Sequence, residues 1–442
     1  MTLTTPPETP KSDPNTGNIE SANDNRPASQ GEQLRPAIGL DSGWRPWKVV
    51  IGCFCLTVPT FGLLSGISLF QTYWHKYQLH SYTDSEISWI ISIFGFLDCF
   101  FAAPFGILFD RYGARWLLLV GSMVYVAAFI GLAFSSTYAK FMGCLTVAGI
   151  SAASPTTIAF SIVSQWFSAR EGLATGCVSL GAAVGGIFFS LVLQNLFDKY
   201  SWTVVALILS VIIAGFMALG NVLVETNKSR RPGGTALEAW DFGQVTQLLQ
   251  SPKFWLISYA VFAYEVVLFI QWGSIPAYAV SVDFGGNQFY LVMSYNIGAI
   301  IGRTVPPWLS DRKIGPINTI ILMNVFTLLA VLVIWLPFGA MNIGALLVVT
   351  MLMGIGTGSF VPLGGKLTTR SRHHSGTWLG CVYSMVSFAT LIGNPSTGAI
   401  IERFKSNGLV AFLAAILVSG LVSATVLRWL CHERRWTLKS RI

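Results

Sequence analysis

Gly106-Ile-Leu-Phe-Asp110-Arg111-Tyr-Gly113-Ala-Arg115 and Trp308-Leu-Ser-Asp311-Arg312-Lys-Ile-Gly315 are two versions of one phrase. Each places an Asp-Arg pair and a following Gly at the end of a long apolar run. Working outward from them, runs of about 20 mostly apolar residues, the length a membrane-crossing helix needs, fall near 48–73, 86–108, 115–135, 139–166, 172–196, 202–224, 254–280, 287–310, 316–338, 341–366, 376–401 and 408–430. The first phrase follows run two. The second follows run eight, the second of the last six. Two sets of six runs with the same loop in the same place predict parallel repeats. The expected fold is all-α and integral to a membrane, with twelve transmembrane helices in two six-helix pseudo-repeated bundles.

Composition points the same way. The 442 residues are 53% hydrophobic and 11% charged, with mean hydropathy +0.59. A soluble domain carries roughly 25% charged residues, so this chain cannot cover a water-facing surface. The net charge of +8 would suggest nucleic acid in a soluble protein. Here the basic residues flank apolar runs, and the anionic leaflet of a lipid bilayer is their expected partner; no nucleic acid is expected. Seven cysteines contain no CxxC pair and fall in or beside apolar runs, which reads as inert thiols rather than a metal site. No metal and no cofactor are expected.

The longest interior hydrophilic stretch, 225–253, separates run six from run seven. The domain expectation is a disordered tail over 1–43, a six-helix bundle over 44–224, a linker over 225–253, a second bundle over 254–430 and a tail over 431–442. The linker holds Arg230 to Gly234, and 236–249 is expected to form a surface helix. With the amino terminus inside, 22 of the 28 Lys and Arg fall on cytoplasmic segments, five fall outside and Arg303 lies within a run. The positive-inside bias therefore predicts both termini in the cytoplasm and no glycan at the sequon Asn227-Lys228-Ser229. The plasma membrane is the expected location, with a vacuolar or other internal membrane as the alternative.

The loop after run two is similar to the signature of the major facilitator superfamily, matched at Asp110, Arg111, Gly113 and Arg115. With Asp311 and Arg312 of the second repeat, these residues form the expected cytoplasmic gate. Gly113 permits a tight turn, and the charges pair with the opposite bundle when the carrier faces outward. Asp41-Ser-Gly43-Trp44-Arg-Pro-Trp47 before run one resembles a motif of the monocarboxylate porter family. Gln165-Trp166-Phe167-Ser168-Ala169-Arg170-Glu171-Gly172-Leu173-Ala174-Thr175-Gly176 resembles that family's signature between runs four and five. The likeness covers about 41–430 and is nearest the fungal branch. It implies the major facilitator fold and a role for Arg303 at a substrate carboxylate. Two positions depart from it. Animal members carry an acid one turn before the arginine, where this chain has Ala299. The lysine of their first helix aligns with Ser65. The lactate-type mechanism is therefore not implied intact.

An ionisable group at mid-bilayer costs at least roughly 2.5–3.5 kcal/mol, so each one needs an account. Three lie well inside runs: Asp98, Glu265 and Arg303. Arg303 is seven residues after Asn296, nearly two turns, so both share a helix face, with Ala299 between them. The expected substrate or coupling set is Arg303, Asn296, Glu265, Asp98 and Trp272. The guanidinium can grip a carboxylate by forked hydrogen bonds. Structural readings compete: Arg303 paired with Glu265 or the Asp311 cluster, and Asp98 in a helix-packing hydrogen bond with serines or the neighbouring span. If protons are coupled, desolvation makes the two acids the carriers. Trp272 and Tyr278 are candidates for stacking on an aromatic ligand. The other tryptophans, including Trp74, Trp89, Trp202, Trp255, Trp308 and Trp335, mostly lie near run ends and read as interfacial anchors.

No GxxxxGK[ST] loop exists, which excludes a phosphate-loop pump, and no constellation of an enzyme is present. The expected function is a secondary carrier moving a small organic solute by alternating access. An organic anion or amphipathic secondary metabolite is the expected cargo, and a proton is the expected coupling ion. A carrier-derived nutrient sensor and a true monocarboxylate importer are the alternatives.

Overall fold

A computed structural model describes residues 43–66, 68–227, 242–284, 288–368 and 375–431. The expectations for the two tails and for Arg230 to Gly234 lie outside them. All regular structure among the described residues is helical. The helices are α1 (Trp44–Gly66), α2 (Glu86–Tyr112), α3 (Ala114–Ala133), α4 (Tyr138–Trp166), α5 (Glu171–Phe197), α6 (Trp202–Leu223), α7 (Pro252–Ser281), α8 (Gln288–Leu309), α9 (Pro316–Phe338), α10 (Ile343–Leu367), α11 (Ser375–Gly393) and α12 (Asn407–Cys431). Eleven are long and apolar enough to cross a bilayer. The remaining one, α8, has 22 residues, about 33 Å at 1.5 Å per residue. Arg303, Asn296 and the pair Pro306-Pro307 make it less apolar than its neighbours. The surface helix expected over 236–249 is found at Phe242–Gln250.

Helical backbone runs without a break from Ser375 to Cys431. A straight helix of that length would reach about 85 Å, far beyond a bilayer. The rings of Phe254 and Trp378 lie 6.2 Å apart, while Ser423 donates to the Leu256 carbonyl at 3.0 Å. Both ends of the run therefore meet the same end of α7, and the run doubles back between α11 and α12. The end of α12 consequently lies on the face where Asp110 meets Gly376, and Lys48 at the start of α1 pairs with Glu225, next to Thr226, which bonds Ala114 of the Asp110 loop on that face.

The first six helices pack among themselves, as do the last six, and the largest contacts between the halves are α2 against α11 and α5 against α8, flanked by α4 against α11 and α5 against α10. Within lipid, such contacts depend on small residues that let backbones approach. A Cβ placed on Gly354 of α10 would lie 2.9 Å from the Ala299 nitrogen, and one on Gly358 would lie 2.9 Å from the Ala299 Cα. Helices α8 and α10 thus meet backbone to backbone. In α1, a π-helical turn over Val58–Gly62 contains Pro59, and such turns recur at functional positions. Tyr125 of α3 donates to the Pro59 carbonyl at 2.6 Å.

Several tryptophans expected at the interface belong to the core instead. Trp74 and Trp202 are buried and join Phe70, Phe141 and Phe197 in one aromatic cluster with edge-to-face and tilted contacts. Trp335 is buried against Tyr278 at 5.3 Å. Trp89, Trp255 and Trp308 are exposed, as expected of anchors. Position near a helix end does not separate the two cases; which face the ring occupies does.

Candidate functional site

Asp110 ends α2, and its carboxylate accepts hydrogen bonds from the first turn of α11 in the other half. Gly376 N lies 3.0 Å from Oδ1, while Thr377 N and Thr377 Oγ1 lie 2.7 and 2.8 Å from Oδ2. Asp311, after α8, does the same to α5. Gly172 N lies 3.0 Å from Oδ1 and Leu173 N 2.8 Å from Oδ2. In each case the amides are those of the second and third helical residues, the ones a capping side chain normally satisfies. Arg170, which precedes α5, supplies no side-chain cap. The cap comes from the other half, and the positive end of the helix dipole favours a carboxylate there. Asp311 also forms an ion pair with Lys366 of α10.

The remaining expected gate residues flank these bonds. Gly113 and Gly315 hold φ of 81° and 83°. Arg111 lies over the ring of Tyr112, 5.4 Å from its centre, and Arg312 over that of Trp308 at 4.6 Å. Arg115 is exposed. Asp110 and Asp311 make direct contacts between the halves.

At the centre, Arg303 is buried with 1% of its surface exposed, and its Nε has no hydrogen-bond partner. Glu265 is within electrostatic reach of Arg303, yet the two close no ion pair. Arg303 also senses Tyr295, whose hydroxyl lies 3.0 Å from Thr357 Oγ1. Thr357 Oγ1 in turn donates to Gln271 Oε1 at 3.1 Å. Trp272 is half-buried, with its ring edge-to-face on Phe269 at 5.4 Å and its Nε1 unpartnered. Glu265, Arg303, Tyr295 and Trp272 are thus one group, extended by Gln271 and Thr357. The last two and Tyr295 escaped sequence reading, because an uncharged polar residue in an apolar run raises no alarm.

Asn296 stands on the α5 seam. Its side-chain amide donates to the Val292 carbonyl at 3.0 Å, and a Cβ on Gly186 would lie 3.3 Å from its Oδ1. Ala299, expected to line the same polar face, is instead the contact with Gly354 and Gly358 of α10. Tyr278 packs on Trp335 and offers no stacking surface. Ser65 is buried and bonds to the carbonyls of Gly62 and Ala182 at 2.8 and 3.2 Å.

Asp98 lies in a different wall. Both its carboxylate oxygens are buried, no serine among the described residues bonds to them, and the hydroxyl of Thr156 on the neighbouring α4 lies beside them. It borders a hollow of about 10 Å³ together with Phe61, Thr156, Thr157, Leu379 and Tyr383. Among the described residues no cluster of three or more His, Cys, Asp or Glu is placed to hold a metal ion.

A model of the Major Facilitator Superfamily matches residues 49–340 and 262–441. An MFS-type transporter of Ophiocordyceps is 28% identical over 393 residues, 85% of each chain. The agnestins efflux protein of Paecilomyces divaricatus is 29% identical, covering 85% of each chain. The fujikurins efflux protein of Gibberella fujikuroi is 27% identical over 96% of this chain and 90% of its own. Among solved structures, the human organic anion transporter MFSD10 superposes with a TM-score of 0.70 at 14% identity, covering 86% of this chain and 98% of that one.

Proposed function

The chain belongs to the Major Facilitator Superfamily, and we propose that within this transporter family it exports an amphipathic organic anion of the secondary-metabolite kind. The observation that carries the reading is Arg303, a fully buried guanidinium near the centre of the bundles, with Nε unpartnered and no carboxylate in ion-pair contact. A guanidinium left unpaired in low dielectric favours an anion in reach. Tyr295, Thr357, Gln271 and half-buried Trp272 beside it suit a cargo with aromatic and hydroxyl groups better than a two- or three-carbon acid. The relatives named as efflux proteins for agnestins and fujikurins support the same direction.

The lineage we favour is the monocarboxylate porter branch, on its sequence motifs, with the lactate-type charge pair lost at Ser65 and Ala299. Alternating access follows from the gate. Asp110 and Asp311 clamp one face while the solute path opens to the other, and the proposed topology makes the clamped face cytoplasmic. A proton travelling on Asp98 or Glu265 is the proposed coupling.

Metabolite profiling inside and outside cells, with and without the gene, tests the cargo and its direction. An anionic aromatic metabolite should accumulate inside the deletion strain and fall in the medium. Equal profiles, or loss of uptake instead, would remove the export reading.

A further inference from the structure

Pro104 interrupts α2 shortly before Asp110. Proline has no N–H, so the carbonyl four residues earlier, that of Phe100, loses its helical partner, and the ring crowds it. The backbone yields at Phe101, with φ −77° and ψ 0°. On either side the helix is ordinary: Phe101 N bonds to the Leu97 carbonyl at 3.1 Å and Phe105 N to the Phe101 carbonyl at 3.2 Å. The gap is local.

It is filled from the other half of the molecule. Ser384 of α11 donates its hydroxyl to the Phe100 carbonyl at 2.6 Å and accepts from Ala103 N at 3.1 Å. A serine inside a helix often returns its hydrogen to its own preceding turn. Ser387 and Thr390 on the same helix do so, to the carbonyls of Ser384 and Ser387 at 2.7 Å each. A hydroxyl has one hydrogen, and Ser384 gives its own to α2. Within a bilayer, where water does not serve the backbone, a serine of this kind is what makes a proline gap tolerable.

The two seams share a register and differ at this position. On α11, Gly376 and Gly380 stand where a Cβ would meet the carbonyls of Gly106 and Ala102, one and two turns before Asp110. On α5, Gly172 and Gly176 do the same to the carbonyls of Pro307 and Arg303, one and two turns before Asp311. Two turns beyond the first glycine, α11 has Ser384, whereas α5 has Leu180. Pro307 opens a gap in α8 as well, at the Arg303 carbonyl, but Gly176 approaches that carbonyl with no donor side chain. The hydroxyl belongs to one seam alone.

We propose that Ser384 is a detachable piece of α2: its hydroxyl completes that helix while the α2–α11 seam is shut, and when the seam parts the helix loosens and bends between Phe101 and Pro104. Closure of the Asp110 clamp and the shape of α2 are thereby one event. The inference rests on the alternating access proposed above, and on no particular cargo.

Hydrogen exchange with mass spectrometry tests it, on the purified full-length protein in lipid nanodiscs and without solute. Ser384→Ala should speed exchange at the Ala103 amide about tenfold. Pro104→Ala returns the missing N–H to α2, so adding Ser384→Ala to that variant should change exchange in this turn less than about twofold. Loosening the seam with Asp110→Asn should speed exchange around Ala103 together with that at Gly376 and Thr377. In the Pro104→Ala background the acceleration should stay at Gly376 and Thr377. Ser384→Cys, of similar shape with a weaker donor, should give a smaller rise than Ser384→Ala, and it serves if Ser384→Ala does not fold. An Ala103 amide unmoved by the Ser384 variants, or moved equally with and without Pro104, would overturn the proposal and leave Ser384 a packing residue. Either result would leave the export reading standing, since no solute is present.

Discussion

Gly113 and Gly315 each donate their N–H to the carbonyl of the residue just before their loop's aspartate, Gly113 to Phe109 at 2.8 Å and Gly315 to Ser310 at 3.0 Å. The first bond spans four residues and the second five. The second loop holds one more residue between Asp and Gly, and a π-helical turn over Ser310–Ile314 takes it up. Both glycines keep a φ near 80° with extended ψ, –178° and 158°, a region essentially closed to other residues. The two halves thus preserve the aspartate's position across an insertion.

Removal of the exposed Lys313 should therefore turn the π-helical turn into an ordinary one and leave the Asp311 clamp in place, with little change in thermal midpoint. Gly113→Ala and Gly315→Ala should each cost about 1–3 kcal/mol from backbone strain alone. Thermal unfolding in detergent reads all three. A large loss on removing Lys313, with both alanine variants unchanged, would contradict this account of the loops.

The clamps themselves predict a local effect. Asp110→Asn and Asp311→Asn lose the charge and at least one backbone bond, and a charge-assisted hydrogen bond contributes about 1.5–3 kcal/mol. Amides 376–377 in the first variant and 172–173 in the second should exchange hydrogen about ten- to a hundredfold faster. Residues 172–173 should be little affected by Asp110→Asn, because each clamp holds a different seam. Hydrogen exchange with mass spectrometry separates these segments. Equal acceleration at both seams would mean that the clamps open as one unit instead.

Much of this was legible in the chain. Twelve apolar runs, the six-and-six division and both Asp-Arg loops stand out because lipid enforces long apolar helices and makes every interior charge conspicuous. The loop chemistry was read less well. The charges were expected to pair across the halves, and the aspartates do so through backbone amides, partners that sequence does not display. Ser384 was invisible for a related reason. Hydroxyls are common in membrane helices, and only packing shows that its partner lies in the other half. Ala299 was placed on the right turn but the wrong side, since its partner glycines lie on another helix.

Ser65 and Ala299 yield a steric prediction. Ser65 is held by two carbonyls, and a Cβ on Gly186 would lie 3.3 Å from its own Cβ. Ala299 is fully buried against the α10 glycines. Ser65→Lys and Ala299→Asp introduce the charges that the proposed likeness to the monocarboxylate porters would call for, yet neither position has room for them. Each should destabilise by about 1–3 kcal/mol from overpacking, with the unpaired buried charge adding to it. Lactate uptake should not appear. A double variant with wild-type thermal stability and measurable lactate transport would show that the absence of the charge pair, rather than the helix packing, separates this chain from that chemistry.

Arg303 carries the most exposed prediction. If its guanidinium grips a carboxylate or phenolate with two N–H groups, lysine keeps the charge but loses the fork. Once profiling has named a solute, Arg303→Lys should raise its KM by about tenfold, the equivalent of one charge-assisted bond. Arg303→Ala should raise it further, and it also leaves Glu265 without its compensating charge. Glu265→Gln combined with Arg303→Ala should then restore stability without restoring affinity. That split separates the two roles open to this arginine. A purely structural partner of Glu265 would be rescued in both measurements, and an anchor for the solute in only one. Unchanged KM in Arg303→Ala would end the anion reading of the site.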